Sequence, residues 1–95
     1  MIPKNRIATS PGIILLEEFL RPLELTQSAF ARHIGVSARR INDVVRGKSA
    51  ISPELAQLFS AALGTTPEFW MNAQSLYDLS THRIEIDIEP LVHTS

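Results

Sequence analysis

Five basic side chains and one amide crowd into a short stretch of this chain: Arg32, Arg39, Arg40, Asn42, Arg46 and Lys48, with Asp43 the one acid among them. Guanidinium and ammonium groups donate hydrogen bonds to phosphate oxygens. An arginine fork also fits guanine O6 and N7, and an asparagine amide fits the edge of adenine. The chemistry on offer is recognition of a DNA duplex rather than making or breaking bonds. Arg39, Arg40 and Asn42 are the types that read base edges; Arg46 and Lys48 are the types that hold phosphates. Gln27 and Ser37 complete the candidate set: Gln27, at the start of its apolar-periodic segment, can reach the sugar–phosphate backbone across the groove, and Ser37 opens the second segment.

The elements that must position these groups are legible around them. Residues 26–48, TQSAFARHIGVSARRINDVVRGK, read as two short helices separated by Gly35-Val36-Ser37. Thr26 caps the first, whose apolar positions are Phe30 and Ile34. Ser37 caps the second, whose apolar positions are Ile41, Val44 and Val45. Neither has an acid or amide three residues on (Ala29 and Arg40 stand there), so neither is a full capping box. Gly35 stops the first helix and Gly47 the second. Two helices joined by a tight turn, the second rich in cations and amides, form a helix-turn-helix unit that enters the major groove.

The flanks predict more helix. Residues 1–10 read as an irregular arm. Pro11-Gly12 opens a helix with Leu16, Phe19, Leu20 and Leu23 on one face, ending near Leu20 or Arg21 because Pro22 has no N–H to donate. Ser52-Pro53-Glu54 starts another, with a stripe of Leu55, Leu58, Phe59, Ala62 and Leu63 closed by Gly64. Thr66-Pro67-Glu68 starts the last. Its stripe is Phe69, Ala73 and Leu76. Trp70 and Tyr77 lie beside that stripe, as core or as a subunit interface. The expected fold is all-α: a compact five-helix bundle over residues 1–83, followed by an extended tail over 84–95. In the tail Ile84, Ile86 and Ile88 alternate with acids until Pro90, the pattern of a half-buried strand. One strand has no partner in such a fold, so the tail must pair with a second copy, pair with another protein, or stay disordered.

Composition narrows the function classes. Ninety-five residues make one domain. There is no cysteine, hence no disulfide and no thiolate metal site. His33, His82 and His93 match no zinc spacing, and no cofactor is implied. No serine stands in G-x-S-x-G, no glycine-rich phosphate loop is present, and Glu17 and Glu18 are adjacent and so diverge on a helix; the chain reads as a non-enzyme. The longest strictly apolar run, Ile13 to Leu16, is far too short for a bilayer, so no membrane partner is expected; the lack of cysteine and of a signal-peptide-like apolar run in MIPKNRIATSPG fits a cytoplasmic protein. Net charge is −1, which hides a strong asymmetry. From Ser49 onward there are six acids and one arginine, so the basic patch before it is local.

These motifs also carry a resemblance. Pro11-Gly12 with Leu15 to Leu20, Pro22-Leu23 before Leu25-Thr26-Gln27, Arg40-Ile41-Asn42 with Gly47-Lys48, Ile51-Ser52-Pro53 and Leu63-Gly64-Thr65 form one part of it. Pro67-Glu68-Phe69-Trp70 and Asn72-Gln74 with Tyr77-Asp78-Leu79 complete it. Over residues 8–83 the chain resembles the HigA antitoxins, also known as virulence-associated protein I, within the lambda-repressor-like helix-turn-helix proteins. The resemblance implies a homodimeric repressor that binds a palindromic operator and represses its own operon. It also implies a protein partner, a HigB-type toxin: a small RelE-like, ribosome-dependent mRNA endonuclease. Gln27, Arg39, Arg40 and Asn42 occupy positions where the broader superfamily touches DNA. Glu24 departs from the pattern, standing where the family has Gly or another turn former, and the tail lies outside the matching region. Three rivals remain: a regulator without a toxin, a protein-binding module whose DNA function has decayed, and, more weakly, an RNA-binding regulator.

Overall fold

A computed structural model describes residues 7–92. Among these residues the fold is five helices with no strand. The first, α1 (Pro11–Ile14), runs without a break into a π-helical segment (Leu15–Leu20). The others are α2 (Gln27–Ile34), α3 (Ala38–Val45), α4 (Pro53–Leu63) and α5 (Pro67–Thr81). The expected all-α bundle is the observed one. Residues 1–6 of the arm, and His93 with the two residues after it, lie outside the described residues.

Each helix starts where a hydroxyl can satisfy a free amide of the first turn. Thr26 accepts from Ala29 N at 3.0 Å, Ser37 from Arg40 N at 3.1 Å, Ser52 from Leu55 N at 3.1 Å and Thr66 from Phe69 N at 3.1 Å. Ser10 does the same for α1, at 3.3 Å from Ile13 N. The stops are equally local. After α2, Val36 N donates to Ala31 O and Gly35 N to Arg32 O, with Gly35 at φ 79°. After α3, Lys48 N donates to Asp43 O and Gly47 N to Val44 O, with Gly47 at φ 75°. Both are Schellman motifs, which require a left-handed residue. The first helical stretch ends by the same device: Leu25 N donates to Leu20 O and Glu24 N to Arg21 O, but the left-handed position, φ 55°, belongs to Glu24. The departure noted in the sequence therefore falls on a residue that glycine would suit better.

The core is built from Leu15, Leu20, Phe30, Ile41, Val44, Leu55, Phe59 and Trp70, all essentially inaccessible. Phe59 and Trp70 meet edge to face with ring centroids 5.1 Å apart, and Phe30 packs on Phe59 at 5.4 Å. Three stripes differ from the 3.6-residue expectation; in α5, Phe69 and Leu76 are exposed and Trp70 is the residue taken inside. In the first, Leu15 and Leu20 are buried and Leu23 is 56% exposed, while Leu16 and Phe19 only flank the core. The π-helical turn is the cause: its hydrogen bonds span five residues, so Leu15 and Leu20 share a face. In α4 the small residue taken inside is Ala56, and Ala62 is exposed. Trp70 is core, not interface. It is 0% exposed, and its indole N–H donates to Thr65 Oγ1 at 2.7 Å; a partner has nothing of it to touch.

Candidate nucleic-acid interface

The turn Gly35–Ser37 holds α2 and α3 as an angled pair. Ile41, Val44 and Val45 pin α3 by one face to the core. The opposite face is therefore fixed in direction, and at 100° per residue it is centred on Arg39, with Asp43 and Arg46 beside it. Arg39 and Arg46 are exposed, as is Lys48 just past the Schellman stop. Among the described residues there are two ion pairs, Arg21 with Glu17 and Arg40 with Glu54. Arg39, Arg46 and Lys48 are in neither, and their charges are directed to solvent.

Asn42 lies on the flank of this face nearest α2. Its Nδ2 donates to Gln27 Oε1 at 3.1 Å, which joins the first residue of α2 to the middle of α3. The pair leaves Gln27 with its own NH2 group and Asn42 with its carbonyl and a second amide hydrogen for other partners. Ser37 uses one lone pair as the α3 cap and keeps a hydroxyl proton to donate. Arg39 and Arg46 thus share the outer face of α3, with the Gln27–Asn42 pair on its α2 flank.

Arg40 differs. It lies on the other flank, toward α4, and is only half-exposed. One guanidinium nitrogen donates to Glu54 Oε1 at 3.3 Å and the other to Ser52 Oγ at 3.3 Å. Both partners come from the start of α4, where the sequence marked Ser52 and Glu54 only as a helix-initiation signal. Their link to Arg40 is long-range and no local pattern announces it.

Two further residues were legible only in part. Gln74 in α5 accepts from Ile51 N at 2.8 Å through Oε1 and donates to Asp78 Oδ1 at 2.8 Å. It anchors the segment between α3 and α4 that follows Lys48. Gly12 was read as a helix opener. In the fold, a Cβ there would collide with the Val44 carbonyl oxygen and stand 2.7 Å from Val45 Cα, so α1 touches the backbone of α3 directly.

The remaining candidates fall elsewhere. Tyr77 is half-buried, its hydroxyl beside Gly47. Ile84, Ile86 and Ile88 are 77%, 69% and 78% exposed in extended chain that forms neither helix nor strand. Ile84 and Ile86 adjoin Leu76 and Leu79 of α5, which are also exposed. A second apolar hollow, of 350 Å³, is lined by Ala8, Ile14, Phe69, Ala73 and Leu76. Among the described residues the α5 side thus carries an apolar surface and the α3 side a cationic one. His33 and His82 are exposed, and among the described residues no cluster of His, Asp and Glu could hold a metal. No described helix is long and apolar enough to cross a membrane.

Comparison with known proteins places this geometry. The helix-turn-helix family model matches residues 16–70. Antitoxin HigA-1 of Vibrio cholerae is 39% identical over 75 residues, covering 79% of this chain and 70% of that protein. Virulence-associated protein I of Dichelobacter nodosus is 39% identical over 77 residues, covering 80% and 71%. Among solved structures, the Pseudomonas aeruginosa antitoxin HigA with the higBA promoter superposes with a TM-score of 0.81 at 40% identity, covering 88% of this chain and 98% of that one. With its capped α2–turn–α3 unit in the position the family model matches, this chain belongs to the helix-turn-helix family of the HigA antitoxins and virulence-associated protein I.

Proposed function

We propose that this protein is the antitoxin of a toxin–antitoxin pair and a sequence-specific repressor of its own operon. The observation that carries the reading is the outer face of α3, where Arg39 and Arg46 are in no ion pair among the described residues and stand beside the Gln27–Asn42 amide pair, with Lys48 following the helix stop. A relative of the same fold is known with its promoter. Arg39 and Asn42 read base edges, while Gln27, Ser37, Arg46 and Lys48 hold phosphates. Two copies place their α3 helices in successive major grooves of a palindromic operator, with half-site centres roughly 34 Å apart.

The α5 side supplies the protein–protein surface. Phe69, Leu76 and Leu79 with the isoleucine tail form an apolar strip that water disfavours. It covers the mate of a homodimer or the toxin, with the tail adding a strand to the partner's sheet. The toxin is a HigB-type mRNA endonuclease, neutralised by binding rather than by catalysis, in the cytoplasm where its ribosomal target lies.

The test is binding of the purified protein to its own promoter fragment and to random DNA across a salt series. Affinity for the promoter should exceed that for random DNA by about a thousandfold or more and fall steeply with salt. Equal, weak binding to both would remove the repressor reading. Co-expression with the small basic protein encoded next to it should relieve that protein's toxicity; the lack of any such neighbour would favour a stand-alone regulator.

A further inference from the structure

Glu54 is an acid with a 70% exposed side chain, bonded to an arginine on the flank of the cationic face. An acid at the edge of a DNA-facing surface repels phosphates, so its presence there calls for a compensating role. Its first role is local: in the opening turn of α4 a carboxylate is favoured by the helix dipole. That role would be met by any orientation of the side chain. The orientation observed is specific. Glu54 Oε1 and Ser52 Oγ each accept from a different nitrogen of the same Arg40 guanidinium, both at 3.3 Å, and Ser52 is itself fixed because it caps α4. Arg40 is thereby turned toward α4 and away from the centre of the α3 face.

We infer that Glu54 is a specificity-determining residue, which holds Arg40 back from sequence-blind phosphate contacts and releases it only to a site that offers a better partner. The inference rests on the DNA-binding reading above. The physical logic is competition. Contact with a phosphate on random DNA exchanges one charge-assisted pair for another and forfeits the bond to Ser52, so the exchange gains little. A guanine edge in register offers two acceptors in the geometry of the fork, and the exchange then favours DNA. An acid in this position suppresses binding to the wrong sequence more than to the right one.

The experiment measures operator and random-DNA affinities of the full chain, with salt slopes, for wild type, Glu54→Gln, Glu54→Asp, Arg40→Ala and the Arg40→Ala/Glu54→Gln double variant. Glu54→Gln should raise random-DNA affinity about 1.5- to fivefold, the range for an exposed ion pair, and raise operator affinity less. The operator-to-random ratio then falls, and the random-DNA salt slope steepens by about one. Glu54→Asp keeps the charge and the helix-dipole role but is one methylene too short to reach Arg40 from the same backbone, so its ratio should fall as well. In the Arg40→Ala background, Glu54→Gln should leave the ratio unchanged. An Asp variant that matches wild type, or a Gln effect of full size without Arg40, would mean that Glu54 acts as a bare charge and overturn the inference. A wild type with no operator preference would instead overturn the DNA-binding reading itself, before any variant is compared.

Discussion

Arg39 and Arg40 are adjacent in the chain and differ in circumstance: Arg39 is in no ion pair and points to solvent, while Arg40 is shared between Glu54 and Ser52. Arg39→Ala should therefore cost about 1–3 kcal/mol on the operator, relaxing discrimination at one base position; Arg40→Ala should act in the same direction. Lys48→Ala should weaken operator and random DNA alike and flatten the salt slope by about one. Competition binding on single-base operator variants checks this, and equal losses from the Arg39 and Lys48 variants on every sequence would refute the division of labour. The residue types and their nearness were legible in the sequence. The Arg40–Glu54 bond was not, because fourteen positions and a helix–helix crossing separate its partners. Glu24 was legible as an oddity, and the backbone explains it. A left-handed non-glycine costs about 1–2 kcal/mol, partly offset in glycine by the greater freedom of its unfolded chain. Glu24→Gly should stabilise the fold by about 0.5–1 kcal/mol, seen as a higher midpoint in thermal or urea unfolding.

Helix boundaries were the best-read elements, and for a physical reason. Caps and Schellman stops are made by residues within six positions of one another, so their chemistry is written locally; Thr26, Ser37, Ser52, Thr66 and Gly35 all act where the sequence placed them. Faces were read less well. The stripe of Leu16, Phe19, Leu20 and Leu23 assumed a regular α-helix; Leu20 is buried as expected, but the π-helical turn pairs it with Leu15 in place of Leu16 and Leu23. Nothing in the side-chain pattern distinguishes a 3.6-residue period from a local five-residue step until the packing is known. In α4, alanine is too small to declare a side, and the core took Ala56 rather than Ala62. The contact of Gly12 with the α3 backbone belongs to this scale too. Gly12→Ala must push α1 off Val44 and Val45, which should cost about 1–3 kcal/mol or more by overpacking. It should also weaken operator binding, since the end of α3 that leads to Arg46 and Lys48 moves with it. A variant as stable as wild type by urea unfolding would show that the two helices can separate freely.

The whole molecule has two unlike sides, a cationic one on α3 and an apolar one on α5 and the tail. The alternation of isoleucine and acid announced that the tail needs a partner, but a single chain cannot supply one, so the strand expected there is absent from the isolated fold. Deleting residues 84–95 should leave helical content intact and impair dimerisation or toxin binding. Sedimentation of the free protein and titration with toxin separate the two, and a truncated chain normal in both would sink the idea. Trp70 gives such experiments a built-in gauge. It is the only tryptophan in the chain, and its ring is enclosed by Phe19, Phe59 and Phe69 at centroid distances of 5.5, 5.1 and 5.0 Å. Its emission should be that of an indole shielded from water, shifting red in a single step as the core opens. Because that ring sits in the interior and not on either working side, titrating operator DNA or toxin should leave its colour nearly unchanged. One optical signal thus reports whether the bundle is folded, independently of what is bound to it.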